Sequence, residues 1–367
     1  MDSLVLSNMF HRPARTVVSV FGIAIGVLLI VFTVGLSNGT MRERAKREGN
    51  VGAEIMVRAS GSLGMSGTEA FRLPISLGGE IAKVDGVRTV VPVGQNTVSS
   101  DDNNTGSRVV DGVNFDEYSA ITGIQIIEGR PVADKGDEAI IDTGWQRQKN
   151  FRVGDKLKIY ERDFTIVGTY EPAAGARLKI PLGTMQEQLG GEGKTTTFLV
   201  KIDEAFDLAI VAEKIDNAFP ETQVIPTSEL EDLYMQGIPQ LNVFLNVFIG
   251  VAAVISALVV LLTMYTTVTE RTRQIGIMKS LGMGKARIAW TITQESLLIS
   301  LLGIISGIFL TVLLRFALTR ISTLEVEISP RVLLITMIAG LIGGAIGALY
   351  PALRAARLDA VEALSYD

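Results

Sequence analysis

Few residues of this 367-residue chain have the type and spacing that chemistry needs. The one histidine, His11, would need partners to act in catalysis or to bind a metal, and none is near it in the sequence. Cysteine is absent, so thiolate metal sites and cysteine nucleophiles are excluded. Catalysis by carboxylates alone stays open, but nothing specifies it, and we predict a non-catalytic chain. Two acidic stretches could bind a hard cation, although we expect solvated loops at both: Asp101, Asp102, Asn103 and Asn104, and then Asp134, Asp137 and Glu138.

A phosphate-binding loop is also excluded. The stretch 280–286 contains Gly282, Gly284 and Lys285, but a P-loop needs a glycine five residues before its Gly-Lys pair and Ser or Thr after it. Those positions hold Lys279 and Ala286. If the protein uses ATP, another subunit must therefore supply the ATPase. The net charge of −5 argues against nucleic acid as a partner, since phosphate binding needs a clustered basic surface.

Four long apolar runs are the main structural feature of the sequence. Each is long enough to cross a hydrocarbon core of about 30 Å, which takes about 20 helical residues. The first run is longer than a signal-peptide core and no small-x-small cleavage site follows it, so we expect a retained span. About two hundred polar residues separate the first run from the other three. The runs are 17–36, 241–267, 296–317 and 332–353.

The basic residues predict the orientation. Lys and Arg are concentrated before the first run, between the second and third runs and after the fourth, which places the termini and the 270–295 loop in the cytoplasm. The large polar segment would then face outward, on the periplasmic or extracellular side of the cell inner (plasma) membrane. One group disagrees, because it lies just past the outer end of span one: Arg42, Arg44, Lys46 and Arg47. Long domains are exported largely regardless of charge, so we give the short loops more weight.

These patterns predict a membrane α-helical protein with four transmembrane helices and a large extracytoplasmic α+β domain inserted between helices 1 and 2. The expected strands are 54–58, 87–93, 107–113, 138–141, 156–159, 164–167 and 198–202, and the expected helices 77–84, 183–189 and 205–218. Helix-prone segments at 41–47 and 228–237 would form a stalk below the domain. The expected divisions are an N-terminal interfacial helix 1–16, span one 17–40, the outer domain with its stalk 41–240, span two 241–269, a cytoplasmic loop and helix 270–295, span three 296–318, a short outer loop 319–331, span four 332–353 and a cytoplasmic tail 354–367.

The spans contain small residues four apart, a spacing that lets helix backbones approach closely in lipid. Packing inside one four-helix unit is the simpler interpretation, and a homodimer contact stays open for one or two of the motifs. The spans contain almost no charge, which disfavours a proton- or ion-coupled transporter. The candidate packing residues are Gly22, Gly26, Gly303, Gly307, Gly340, Gly344 and Gly347.

The segment Glu270-Arg-Thr-Arg-Gln-Ile-Gly-Ile and the tail Tyr350-Pro-Ala-Leu-Arg-Ala-Ala-Arg are the most specific sequences in the chain. Together with the one-plus-three order of the spans, they resemble the MacB/FtsX/LolC-type ABC transporter permeases, which have a MacB-like periplasmic domain and an FtsX-like permease domain. Four positions depart from the family pattern, namely Gln274, Met283, Ala360 and Ser365.

The resemblance implies a permease that forms a homodimer, pairs with two copies of an ABC ATPase subunit and lies among membrane lipids. ATP and Mg²⁺ would bind to the ATPase, and no cofactor would bind to this chain directly. A membrane-fusion adaptor or another extracytoplasmic partner stays open. By the same resemblance, ATP-driven closure of the ATPases moves a coupling helix, and the spans pass the motion to the outer domain, a process called mechanotransmission. The implied coupling residues are Gly282, Gly284, Lys285, Ala286, Arg287, Ile288 and Trp290.

Three functions compete. The first is ATP-powered export (efflux) or extraction of an amphiphilic cargo, which we favour because the outer segment is long. The second is an FtsX-like regulator that activates an extracytoplasmic partner, such as a cell-wall hydrolase, without transport. The third, a membrane-anchored enzyme, is disfavoured by the lack of a catalytic constellation. The sequence does not identify the cargo.

Overall fold

The computed structural model describes residues 13–61, 71–99, 107–236, 239–321 and 324–357. His11, the cation-binding candidate at 101–104 and most of the expected interfacial helix 1–16 lie outside these residues. The chain divides into two compact units. A helical unit takes the chain up to Gly39 and nearly all of it from Pro239 onward, and an α+β unit takes Thr40 to Ile238.

The first described element is one long helix, α1 (Pro13–Gly49). The first part of the α+β unit contains β1 (Ile55–Ala59), β2 (Leu73–Pro74), α2 (Ser76–Ile81), β3 (Val87–Ser99), β4 (Ser107–Val113), α3 (Phe115–Thr122), β5 (Gln125–Gly129), β6 (Glu138–Asp142) and α4 (Thr143–Lys149). Its second part contains β7 (Lys156–Ile159), β8 (Arg162–Glu171), β9 (Leu178–Pro181), α5 (Leu182–Leu189), β10 (Lys194–Thr195), β11 (Thr197–Ile202), α6 (Leu208–Ala218), β12 (Thr222–Pro226) and α7 (Leu230–Gln236). The last four helices are α8 (Pro239–Glu270), α9 (Thr272–Ser280), α10 (Lys285–Ile321) and α11 (Pro330–Arg357).

Four helices, α1, α8, α10 and α11, are long and apolar enough to cross a membrane. All four are longer than the expected spans. Among the described residues α1 begins at Pro13, because proline is favoured in the first turn of a helix, where its missing N–H has no helical partner. Residues 285–295 are not a separate short helix, since α10 runs from Lys285 to Ile321 without a break.

The seven candidate packing glycines all lie against neighbouring helices of the same chain. Two of them meet backbone: a Cβ at Gly347 would lie 2.5 Å from the Ala257 carbonyl oxygen, and one at Gly307 would lie 2.7 Å from that of Ala24. The other five lie against side chains, namely Gly22 against Val259, Gly26 against Ser256, Gly303 against Ile23, Gly340 against Ile304 and Gly344 against Ser300.

Gly35 and Gly39 were missed, although they are also four residues apart. A Cβ at either would collide with the backbone of Glu327 or Glu325, and the Glu327 N–H donates to the Gly35 carbonyl at 2.8 Å. The connection before α11 therefore packs on the end of the apolar part of α1.

Replacing Gly347 with alanine is expected to destabilise the helical unit by about 1–3 kcal/mol, because the new methyl group meets backbone that cannot move aside cheaply. Gly250→Ala in α8 is the matched control, since nothing lies within 4 Å of its added Cβ. The stability of both variants is measured from the loss of the helical circular dichroism signal during denaturation in detergent. Equal stability of the two would contradict this packing.

The α+β unit is built on a mixed ten-stranded sheet whose main order is β12-β1-β11-β3-β4-β9-β6-β8-β5, with β7 also paired to β8. The pairs β4–β9 and β6–β8 are parallel, and the other pairs of this sheet are antiparallel. Side chains alternate between the two faces of a strand, so β1 sends Ile55 and Val57 one way and Met56 the other.

The two faces of the β12-β1-β11-β3 portion have different partners. One face packs against α2 and α6, through Ile81, Val211 and Ile215. The other face packs against Ala45 of α1 and Tyr234 of α7. The last turns of α1 are therefore part of the hydrophobic core of the α+β unit.

All seven expected strands and all three expected helices are present; 107–113 and 156–159 have the expected ends, and the ends of the others are shifted. The helix-prone segment 41–47 lies in α1, and residues 230–236 of the segment 228–237 form α7, while residue 237 lies outside the described residues. Strand β9 was missed because its sequence, Leu-Lys-Ile-Pro, includes two residues that disfavour strands. Its position between β4 and β6 stabilises it, and all four of its residues are buried.

Candidate functional site

The most distinctive local geometry in the helical unit is the α9–α10 turn, which we define as residues 281–284. Helix α9 ends at Ser280, and Gly282 has φ +88°, a left-handed conformation that favours glycine. The Gly282 N–H donates to the Lys279 carbonyl at 3.0 Å and the Met283 N–H to that of Met278 at 3.1 Å. The chain thus reverses within four residues before α10 starts at Lys285.

A small apolar core holds this turn in place. Val268 of α8, Ile275 of α9, Ile288 of α10 and Ala355 of α11 form one buried cluster, so that all four helices meet beneath the turn. A movement of the turn would therefore act on α8, α10 and α11 together.

Two polar contacts add to this core. The Arg271 guanidinium lies 3.2 Å from a carboxylate oxygen of Glu295, and both side chains are mostly buried. This pair joins the end of α8 to α10 behind the turn. Lys279 Nζ donates to the Ala356 carbonyl at 3.4 Å, which adds a contact from α9 to α11.

Six of the seven sequence-predicted coupling residues are exposed at or just after the turn: Gly282, Gly284, Lys285, Ala286, Arg287 and Trp290. The seventh, Ile288, is only 1% exposed. Because it belongs to the core beneath the turn, it holds α10 in place. Any part that Ile288 has in coupling would therefore act through this core.

Leu281 was missed as a surface residue, and it is 82% exposed. Ile277 is exposed as well, and with Leu281 and Trp290 it adds large apolar side chains to a surface that carries Lys285 and Arg287. The sequence already indicated the exposure of Leu281, because other side chains rarely pack over an apolar residue that directly precedes a glycine turn. The surface combines apolar and cationic side chains, which suits docking to another protein.

A second functional arrangement lies in the α+β unit, where the end of α1 is fixed by ion pairs. We call it the charged joint, made of Glu43, Arg47 and Glu48 with their partners. Arg47 Nη2 lies 2.7 Å from Asp142 Oδ2, and its Nε donates to the Gly175 carbonyl at 3.0 Å. The partners of the two glutamates are Arg177, 2.7 Å from Glu43, and Arg58 and Arg44, at 3.2 and 3.3 Å from Glu48.

In the sequence, Arg44 and Arg47 stood out only as a conflict with the expected orientation. Arg47 binds the carboxylate of Asp142, which lies far away in the chain and also caps α4, whereas Arg44 binds Glu48 one turn further along α1. Helix α7 packs beside the joint, where Arg42 contacts Glu231 at 2.6 Å and Arg44 lies 5.4 Å from the centre of the Tyr234 ring.

Next to the joint, Lys179 and Asp111 form a fully buried pair at 3.1 Å. Burial lowers the pKa of Lys179, while the Asp111 carboxylate opposes that shift. The lysine also donates to the carbonyls of Ala174 and Ala176 and lies over the rings of Tyr118 and Tyr170. With no exposed surface and several partners, Lys179 is a structural group rather than a nucleophile.

The second acidic stretch is engaged in surface ion pairs. Glu138 accepts from Arg130 at 2.9 Å and Asp137 from Arg162 at 2.8 Å. The hydrogen bond from Arg130 lowers the pKa of Glu138. Among the described residues, no group of three or more His, Cys, Asp and Glu side chains is placed to hold a metal ion.

Comparison with known proteins matches two family models to this chain. Residues 16–218 match the MacB-like periplasmic core domain and residues 246–360 the FtsX-like permease C-terminal domain. A "Macrolide export ATP-binding/permease protein MacB" of Bdellovibrio bacteriovorus is 24% identical over 97% of this chain and 60% of its own length. An uncharacterized ABC transporter permease of Methanocaldococcus jannaschii is 24% identical over 97% of this chain and 95% of its own. The periplasmic region of MacB from Actinobacillus actinomycetemcomitans superposes with a TM-score of 0.37 at 14% identity, over 50% of this chain and 95% of that one.

The two units and their models define the class, an ABC transporter permease with transmembrane helices and a periplasmic-type domain. The chain belongs to the MacB/FtsX family. It spans about three-fifths of the length of the curated MacB relatives that it matches first.

Proposed function

We propose that this chain is a permease subunit that couples ATP hydrolysis by a partner ABC ATPase to movements of an extracytoplasmic domain, for the export or extraction of an amphiphilic substrate. Its MacB relatives are named as macrolide export proteins, which supports export for this chain. The match of the MacB-like core model to residues 16–218 supports the exporter over the FtsX-like regulator.

The continuity of α1 is the observation that carries this proposal. One uninterrupted helix of 37 residues begins in the helical unit and ends within the core and the charged joint of the α+β unit. We propose that displacement of α1 in the helical unit passes along this helix to its last turns, which buried contacts hold in the α+β unit.

The α9–α10 turn is the proposed entry point for the motion. Its exposed Leu281, Trp290, Lys285 and Arg287 would dock on the ATPase. The Arg271–Glu295 pair and the cluster beneath the turn would pass the displacement to α8 and α10. ATP and Mg²⁺ would bind to the ATPase, since this chain has no P-loop.

The proposed location is the cell inner membrane, with the termini and the α9–α10 turn in the cytoplasm and the α+β unit outside. The excess of Lys and Arg around the turn supports this orientation. We propose a homodimer with two ATPase copies, and an adaptor in systems that also cross an outer membrane.

Lys285→Glu combined with Arg287→Glu tests the proposal, with the chain co-expressed beside its genomic neighbour ATPase. We expect co-purification to fall about ten-fold or more, because two cations of the docking surface are reversed. The matched control is Arg320→Glu with Arg331→Glu, which makes the same charge change at exposed positions of the expected outer loop 319–331. Undiminished assembly and ATPase coupling in the first variant would exclude the turn as the docking site.

A further inference from the structure

Strand β12 forms one edge of the ten-stranded sheet, since among the described residues it pairs only with β1. Two hydrogen bonds at its ends show which of its backbone groups face β1. The Ser60 N–H donates to the Glu221 carbonyl at 3.0 Å, and the Thr227 N–H donates to the Glu54 carbonyl at 2.9 Å. No bulge interrupts the register between these two bonds, so they fix the pattern along the whole strand.

Hydrogen-bonded pairs alternate with non-hydrogen-bonded pairs along an antiparallel ladder. Because the pairs at both ends are bonded, Thr222, Val224 and Pro226 turn their backbone groups away from β1. The Thr222 N–H already donates to the Phe219 carbonyl at 2.9 Å, and proline has no N–H. The outward side of residues 222–226, which we call the open edge, therefore presents the carbonyls of Thr222 and Val224 and a single N–H donor, that of Val224.

A groove of about 700 Å³ begins at Thr222, and all of its lining residues belong to the α+β unit. This β12 groove also includes the end of β1, the start of α2 and the connection from α6 to β12. A groove of this volume with a mostly apolar wall is typical of sites that take an apolar group of a ligand. Its larger apolar residues are Leu73, Pro74, Leu77, Phe219 and Pro220.

Two charged side chains complete the wall of the β12 groove, Arg72 directly before β2 and Glu221 directly before β12. Both are exposed, and neither the Arg72 guanidinium nor the Glu221 carboxylate has an ion pair or hydrogen bond with the described part of the chain. A segment that carries one basic and one acidic residue would be complementary to this pair of charges.

The open edge and the β12 groove lie on positions that one extended segment could use together. Side chains of directly opposite residues in neighbouring strands lie on the same face of the sheet. Thr222 and Val224 share the face that packs against α2 and α6, because side chains two apart in a strand point the same way. A partner residue opposite Thr222 would therefore direct its side chain to the face of the β12 groove.

The donors and acceptors of the open edge argue against a second copy of β12 as the occupant. Two copies paired about Val224 would exchange two hydrogen bonds there. The Thr222 carbonyl would then face Pro226 of the other copy, which has no N–H to donate. An ordinary segment without proline offers an N–H at every residue and satisfies both outward carbonyls.

We propose that the open edge and the β12 groove form a docking site for an extended segment of a partner protein. The segment pairs antiparallel to β12, exchanges two hydrogen bonds with Val224 and places a large apolar side chain opposite Thr222. A basic residue follows opposite Glu221, and an acidic residue after it faces Arg72. Main-chain bonds at a strand edge supply affinity in such sites, and the adjoining pocket supplies specificity. Docking needs no ATPase, so the site stands or falls apart from the proposed transport function.

The test uses the full chain alone in lipid nanodiscs and a blocked, fluorescently labelled peptide with the sequence Thr-Leu-Thr-Leu-Lys-Glu. Its leucines are designed to lie opposite Val224 and Thr222. Fluorescence anisotropy measures the affinity, and hydrogen exchange with mass spectrometry measures the protection of residues 222–226. We expect saturable binding and slower exchange in this segment. The same peptide N-methylated at both leucines loses two main-chain donors and should bind about ten-fold more weakly or worse.

Two substitutions of the edge residue test the hydrogen bond from the protein. Val224→Pro removes the one outward N–H at an edge position, where proline is tolerated, and is expected to weaken binding by about ten-fold. Val224→Thr retains the N–H and nearly the same shape, so it should bind as the unmodified chain does. The methylated peptide makes the corresponding comparison without any change to the protein.

Two substitutions of the groove test its charges. Arg72→Gln and Glu221→Gln are each expected to weaken binding about two- to five-fold, the usual effect of an exposed ion pair. Glu213→Gln, at an exposed position of α6 outside the groove, is the control and should change nothing. Absence of peptide binding would overturn the site. Binding that N-methylation and Val224→Pro leave unchanged would also overturn it, because the groove would then hold side chains without strand pairing.

Discussion

Replacing Glu48 with alanine is expected to lower the free energy of unfolding of the α+β unit by about 3–5 kcal/mol. Glu48 in the last turn of α1 and Arg58 in β1 are each about 4% exposed, and their charges lie 3.2 Å apart. Removal of the carboxylate leaves a buried guanidinium without its counter-charge, which costs far more than the contact itself contributes. Urea unfolding in detergent measures the loss through Trp145 in a Trp290→Phe background, where it is the one remaining tryptophan.

The double variant Glu48→Leu with Arg58→Met should recover most of this loss, because it removes both charges and fills the space with apolar groups. Glu231→Ala is the surface control, since its pair with Arg42 is exposed at both ends and should cost about 1 kcal/mol or less. A Glu48→Ala chain as stable as the Glu231→Ala chain would show that the joint does not fix α1.

Replacing Glu295 with alanine is expected to uncouple the ATPase without releasing it. The substitution removes the mostly buried carboxylate that Arg271 contacts from α10, at a cost of about 3 kcal/mol to the local structure. The exposed Leu281, Trp290 and Lys285 are unchanged, so docking should persist. Stimulation of ATP hydrolysis by the permease should fall about five-fold or more, within the usual range of coupling energies of ~1–3 kcal/mol.

Two further variants make this prediction specific. Gln294→Ala changes the preceding, half-buried residue and should retain normal coupling. Arg271→Met with Glu295→Leu should restore much of the coupling, because the joint between the helices is rebuilt from apolar contacts. Loss of ATPase co-purification in Glu295→Ala would instead show that the pair shapes the docking surface itself.

The two predictions test opposite ends of the proposed route of motion from the α9–α10 turn to the α+β unit. Glu295 lies where motion would enter the helical unit, and Glu48 lies where α1 is held in the α+β unit. Both are carboxylates that bind an arginine from another element, and both are almost fully buried. A variant that lacks either carboxylate is expected to assemble with the ATPase and to leave its basal ATP hydrolysis intact, but to move the α+β unit poorly.

The spans, the strands and the glycine turn could be predicted from the sequence because each is a local pattern. An apolar run of 20 residues, a period-two alternation and a glycine pair are properties of neighbouring residues. Gly282 is an example, since its position between charged helical segments already indicated a reversal. The exposed cations Lys285 and Arg287 were found for the same reason.

The charged joint could not be predicted, because its partners are far apart in the chain. Arg47 and Asp142 are 95 positions apart, and Glu43 and Arg177 are 134 apart, so no local pattern joins them. The burial of Ile288 and the strand at Lys179 were likewise decided by what packs on them. The sequence by itself determined which segments are apolar, helical or turning, since those depend on nearest neighbours. Only the tertiary structure decided which charges meet and which surfaces stay open, because these depend on the pairing of distant elements.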